Sequence, residues 1–150
     1  NFLAICCELG AIAANLGEEA ERGLYAYGKY VGMAFQITDD LLDLTSDEKK
    51  IGKPAGNDIH EGIVTLPVIR ALEVSSDKEE LLSIVTNPEM TRDDVERALA
   101  IVRASDGIEY ARNKVQEFLM EAKEALPHTL PEKVRETFCR AADYIAKRES

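Results

Sequence analysis

Residues 24–44 read LYAYGKYVGMAFQITDDLLDL, and this run decides the fold. Leu24, Tyr27, Val31, Phe35, Thr38 and Leu42 recur every three or four residues, the stripe of one long helix predicted over about 18–44. Glu18, Glu19 and Glu21 fall in its first turn, where the positive end of the helix dipole favours them. A second face of the same helix is chemical. With about 100° per residue, Asp39, Asp40 and Asp43 all fall within roughly 60° of Gln36. Asp39 and Asp43 stand one turn apart, about 6 Å along the axis. Two carboxylates at that spacing can hold a hard cation between them, directly or through water. Magnesium suits them: it takes oxygen ligands, keeps several waters, and commonly bridges carboxylates to a phosphate.

Downstream the helical period vanishes over 46–62, predicting a long loop. It carries Gly52-Lys53-Pro54-Ala55-Gly56-Asn57-Asp58. Lys53 supplies a point charge of the kind that meets phosphate oxygens, and the glycines let the loop fold tightly back. Asp58 is placed to orient Lys53 or a metal-bound water. An acidic helix face beside a phosphate-seeking lysine points to a diphosphate substrate. Taken alone, either half reads more simply as a solvated surface; the short separation between them carries the functional reading.

The rest of the chain repeats the helical period, and the fold class expected is all-α, a helical bundle. Phe2, Ile5, Cys6, Leu9, Ile12, Ala13 and Leu16 form the stripe of a first helix closed by Gly17, with alanine and glycine on its other faces. Thr65 precedes Leu66-Pro67 at a helix start, Ser76 with Glu79 has the pattern of a capping box, and Thr91 is placed to cap the next helix. Ser105-Asp106-Gly107 opens another, ended near Pro127, and Pro131 begins the last, built on Val134, Phe138, Ala141, Ala142 and Ile145. Cys6 and Cys7 read as core residues, and His60 and His128 as surface.

Composition sets the limits. The 150 residues carry 28 acidic and 18 basic side chains, a net charge of −10, which disfavours nucleic acid and anionic lipid. An anionic small substrate then needs a cation to reverse the local sign. Three cysteines without zinc spacing suit a reducing cytoplasm. The apolar stretch 2–14 is too short to span a membrane, so no stable membrane insertion is expected. The opening, without methionine and inside a helical pattern, suggests a fragment of a longer protein.

Phe35-Gln36-x-x-Asp39-Asp40-x-x-Asp43, then Gly52-Lys53-x-x-Gly56-x-Asp58, then Glu61-Gly62-x-x-Thr65-Leu66-Pro67, resembles the trans-isoprenyl diphosphate synthases. The resemblance covers the second aspartate-rich motif of that family and its downstream signature. It implies that residues 1–150 are the C-terminal helical part of a prenyl diphosphate synthase domain whose N-terminal half is absent. It further implies a Mg2+-dependent prenyltransferase that joins an allylic prenyl diphosphate to isopentenyl diphosphate. By the same resemblance Asp39 ligates the metal, Asp40 and Asp43 support it directly or through water, Lys53 grips the allylic diphosphate, and Phe35 and Gln36 lie beside the isopentenyl substrate. The first aspartate-rich motif is missing, so the fragment alone is expected to be inactive. A fragment of a bundle should also expose apolar surface, so self-association or a swapped arrangement is expected here and a homodimer, a homo-oligomer of two, for the parent protein. Ile63, where many relatives have lysine, leans toward the medium- and long-chain branch. The rivals are a regulatory or scaffold helical subunit with a vestigial site, a class I terpene cyclase, and a helical interaction module with a merely soluble acidic face.

Overall fold

The computed structural model describes residues 1–45 and 55–147. Among them lie eight helices and no strand: α1 (Phe2–Ala13), α2 (Glu18–Thr45), α3 (Asn57–His60), α4 (Leu66–Val74), α5 (Lys78–Val85), α6 (Arg92–Ala104), α7 (Gly107–Glu124) and α8 (Glu132–Ala146). The all-α expectation holds. The chain divides into two compact units, Asn1–Thr38 with Lys114–Ser150, and Asp39–Asn113.

In the first unit most buried residues are alanine or aliphatic, among them Ala4, Ala11, Ala20, Leu24, Ala34, Val115, Leu119, Ala122 and Ala142. Such side chains let helix backbones approach closely. Gly28 of α2 shows how close, because a Cβ there would lie 2.5 Å from the Leu3 carbonyl oxygen and 2.8 Å from Ala4 Cα. This contact corrects the reading of α1. The large residues Phe2, Ile5, Leu9 and Ile12 are exposed, Phe2 by 78% and Leu9 by 57%, while Ala4 and Ala11 are buried. The helix buries its alanine face because only that face fits against the backbone at Gly28. Cys6 is likewise exposed and Cys7 half-buried, so neither is a core residue.

Tyr27 anchors this unit. Its ring meets Phe138 edge-on at 4.9 Å between centroids, and its hydroxyl donates to the Phe138 carbonyl at 2.8 Å. Tyr30 stacks on Phe118 at 6.2 Å. The inward face of α8 is narrower than its sequence pattern suggests: Ala142 and Ile145 are buried and Phe138 half-buried, whereas Val134 and Ala141 are exposed.

The second unit has a denser aliphatic core of Leu44, Ile59, Val68, Ala71, Leu81, Ile84, Val95, Ala98, Leu99, Ile101 and Val102. Helix starts are only partly as expected. Thr91 and Asp94 form a reciprocal capping box on α6. The proposed Ser76–Glu79 box does not form: α5 starts one residue later, with Asp77 at its N-cap and no side-chain cap bond. The Ser75 hydroxyl accepts the Asp77 N–H at 3.1 Å, a local turn that competes with the cap. Leu82 of α5 faces out, while Leu81 and Ile84 are buried. Arg70 of α4 reaches Asp106 at 2.9 Å and lies over the Tyr110 ring, fixing the entry of α7.

Candidate functional site

The acidic run ends α2 as expected from its spacing, and Asp39, Asp40 and Asp43 are each half-buried. Phe35 and Gln36, earlier on the helix, are exposed. They line a cleft of about 670 Å³ in the first unit, with Phe2, Leu3, Gly28, Lys29, Gly32 and Met33. Phe35 therefore leaves the core stripe in which the sequence pattern had placed it. Ala34 and Leu41 are buried in the α2 stripe instead.

Lys53, the phosphate-gripping lysine of the sequence reading, lies outside the described residues, as do Lys49, Lys50, Gly52 and Pro54. The described end of that stretch, Gly56–Asp58, sits against the C-terminal end of α2. The Gly56 N–H donates to the Asp43 carbonyl oxygen at 3.0 Å. The Asn57 N–H donates to Asp43 Oδ1 and the Asp58 N–H to Asp43 Oδ2, each at 3.1 Å. Asp43 thus takes three backbone amides from one segment.

Gly56 makes the approach possible. Its φ is +77°, in the left-handed region, and a Cβ would stand 2.9 Å from Val95 Cγ1 and 3.0 Å from Leu99 Cδ1. The turn leads into α3, a one-turn helix that the sequence pattern left inside the loop. Its period is too short to register, yet Ile59 at its centre is buried in the core of the second unit.

Two arginines missed at the sequence level complete the junction. Arg103 donates from Nη2 at 2.6 Å and Nε at 3.2 Å to the Leu44 carbonyl, taking up an acceptor at the α2 terminus. Arg92 donates to the Ala55 carbonyl at 3.0 Å. Eleven residues separate the two, three turns on one face of α6, and that spacing was the available signal.

Asp58 is half-buried, and its pKa is raised, first by burial and then by the negative field of Asp43, Asp40 and Glu61. A field of that sign beside carboxylate oxygens matches what a hard divalent cation neutralises, so the donor chemistry fits magnesium. Among the described residues no three His, Cys, Asp or Glu side chains are already gathered to hold an ion. His60 and His128 are exposed, as expected. No helix among the described residues is long and apolar enough to cross a membrane.

The polyprenyl synthetase family model matches residues 1–102. Heptaprenyl diphosphate synthase component 2 of Bacillus subtilis is 40% identical over 99% of this chain and 42% of its own length. Geranylgeranyl pyrophosphate synthetase from Pyrococcus horikoshii superposes with a TM-score of 0.83 at 35% identity, over 98% of this chain and 45% of that one. A Caulobacter crescentus polyprenyl synthase, solved with calcium and isoprenyl diphosphate, gives 0.85 at 29% identity, over 99% of this chain and 46% of that one. The chain spans less than half the length of each of these relatives.

Proposed function

From the premise that this chain belongs to the polyprenyl synthetase family, we propose that it is the C-terminal part of a Mg2+-dependent prenyltransferase domain. Its whole protein condenses an allylic prenyl diphosphate with isopentenyl diphosphate. The allylic C–O bond breaks with its electron pair on the departing diphosphate. The isopentenyl double bond then attacks the carbocation, a C–C bond forms, and the diphosphate takes the released proton. Magnesium, when bound, neutralises the charge that grows on the leaving group.

In this reading Asp39 is the principal ligand, Asp40 supports it, and Lys53 grips the allylic diphosphate. Phe35 and Gln36 lie beside the isopentenyl substrate. The observation that carries the reading is the half-buried acidic end of α2 packed against Gly56–Asp58, with its negative field at Asp58. The Caulobacter structure supports it, since that relative was solved with a divalent cation and isoprenyl diphosphate. The family match favours this reading over a terpene cyclase or a scaffold subunit. Ile63 supports a medium- or long-chain product.

We place the protein in the cytoplasm as a homo-oligomer, with no nucleic-acid partner. The word "component" in the Bacillus relative's name favours one competing reading, a two-component enzyme. Copurification of a second, different chain with the whole protein would decide for it.

The test is Mg2+-dependent incorporation of labelled isopentenyl diphosphate by the whole protein. Asp39→Ala should lower turnover by about 100-fold or more with little change in melting temperature. A near-normal rate refutes the assignment. The 150-residue chain by itself should form no product.

A further inference from the structure

We infer that Asp43, the third carboxylate of the acidic run, is a positioning residue that clasps the chain and not a ligand of the cation. For its catalytic consequences this rests on the prenyl-transfer reading; the clasp itself does not. The geometry is specific. Oδ1 accepts the Asn57 N–H and Oδ2 the Asp58 N–H, both at 3.1 Å, while the main-chain oxygen of the same residue accepts the Gly56 N–H at 3.0 Å. Both carboxylate oxygens are committed to amides fourteen and fifteen residues away.

Each oxygen keeps a further lone pair, but an ion that pulled the carboxylate out of this position would break two backbone hydrogen bonds. Losing Asp43 would strand the same donors; the Asp58 amide lies in a part-buried bond, where a stranded donor is costly, whereas the Asn57 amide is open to water. The surroundings fix the clasp from three further directions. Arg103 holds the Leu44 carbonyl, Arg92 holds the Ala55 carbonyl, and Gly56 is seated on Val95 and Leu99 in a backbone state that few other residues adopt. A junction held at so many points sets the direction of Asp43 before any ligand arrives. What Asp43 controls is the position of Asp58, whose amide it grips and whose carboxyl group feels Asp40. Asp39 and Asp40 remain the ligands of the proposed cation.

The experiment uses the whole protein and two readouts. Amide hydrogen exchange without Mg2+ follows peptides containing Asn57 and Asp58. Asp43→Ala should speed their exchange by about tenfold or more, Asp43→Asn should speed it less because its amide oxygen still accepts one N–H, and Asp39→Asn should leave it unchanged. The second readout is the Mg2+ concentration for half-maximal isopentenyl transfer. Asp39→Asn should raise it by about tenfold, whereas Asp43→Asn should stay within about threefold of the parent, its main effect falling on the KM for the diphosphates. Unchanged exchange in both Asp43 variants overturns the clasp. A Mg2+ requirement raised as much by Asp43→Asn as by Asp39→Asn restores Asp43 as a ligand. If the parent shows no transfer at all, the functional reading fails, while the exchange data still decide the role of Asp43.

Discussion

At the scale of single residues, Tyr27 shows how one polar atom orders a small-residue core. It is buried, its ring packs on Phe138, and its hydroxyl serves the Phe138 carbonyl. Burial, with smaller contributions from Cys7 and Cys139, pushes its pKa up to about 12 from an ordinary value of 10.0. Because the folded value is the higher one, the proton is held longer in the native state. The stability associated with the neutral phenol is fully present below pH 10.0 and is lost as pH rises toward about 12. Tyr27→Phe should therefore cost about 1 kcal/mol at neutral pH and flatten the alkaline limb of the stability profile. Urea unfolding from pH 7 to about 11 checks both. An unchanged alkaline limb in the variant would remove Tyr27 from the account.

At the scale of elements, the capping box of α6 is the clearest local device. The Thr91 hydroxyl accepts the Asp94 N–H, and the Asp94 carboxylate returns to the Thr91 N–H at 2.9 Å. Those bonds hold the Asp94 carboxyl below its ordinary value of 3.8. Its contribution is present above that pH and fades as pH falls through the lowered value. Thr91→Ala should cost about 1 kcal/mol in a chemical melt, and Asp94→Asn should reduce the acid sensitivity of the fold. If Thr91→Ala melts like the parent, the box is not stabilising.

This element was legible because cap and partner lie three residues apart. The extent of α2, the proline-entered α4 and the glycine-opened α7 were legible for the same local reason. Where the outcome depended on distant chain, sequence reasoning failed. The Ser76 box lost to a turn at Ser75, and α1 turned its alanines inward because of a glycine 24 positions beyond Ala4. The site divides similarly: the aspartate run is local and was visible. The commitment of Asp43 to amides fourteen and fifteen positions away, and the two arginines on α6, are long-range contacts and were not.

At the scale of the whole molecule, an acidic chain of net charge −10 carries an apolar strip along α1, with Phe2, Ile5, Leu9 and Ile12 all exposed. Contiguous strips of that kind drive association in water. The 150-residue chain should therefore self-associate, and Leu9→Glu together with Ile12→Glu should shift it toward monomer in light scattering. A parent chain that is monodisperse and monomeric would refute this. The polypeptide departs at Asp43 and returns at Gly56 through a 3.0 Å hydrogen bond, with Arg103 and Arg92 bracing the two stems. These bonds tie the two stems to the body of the second unit without passing through the chain between them, so a change of length there should leave both stems in register.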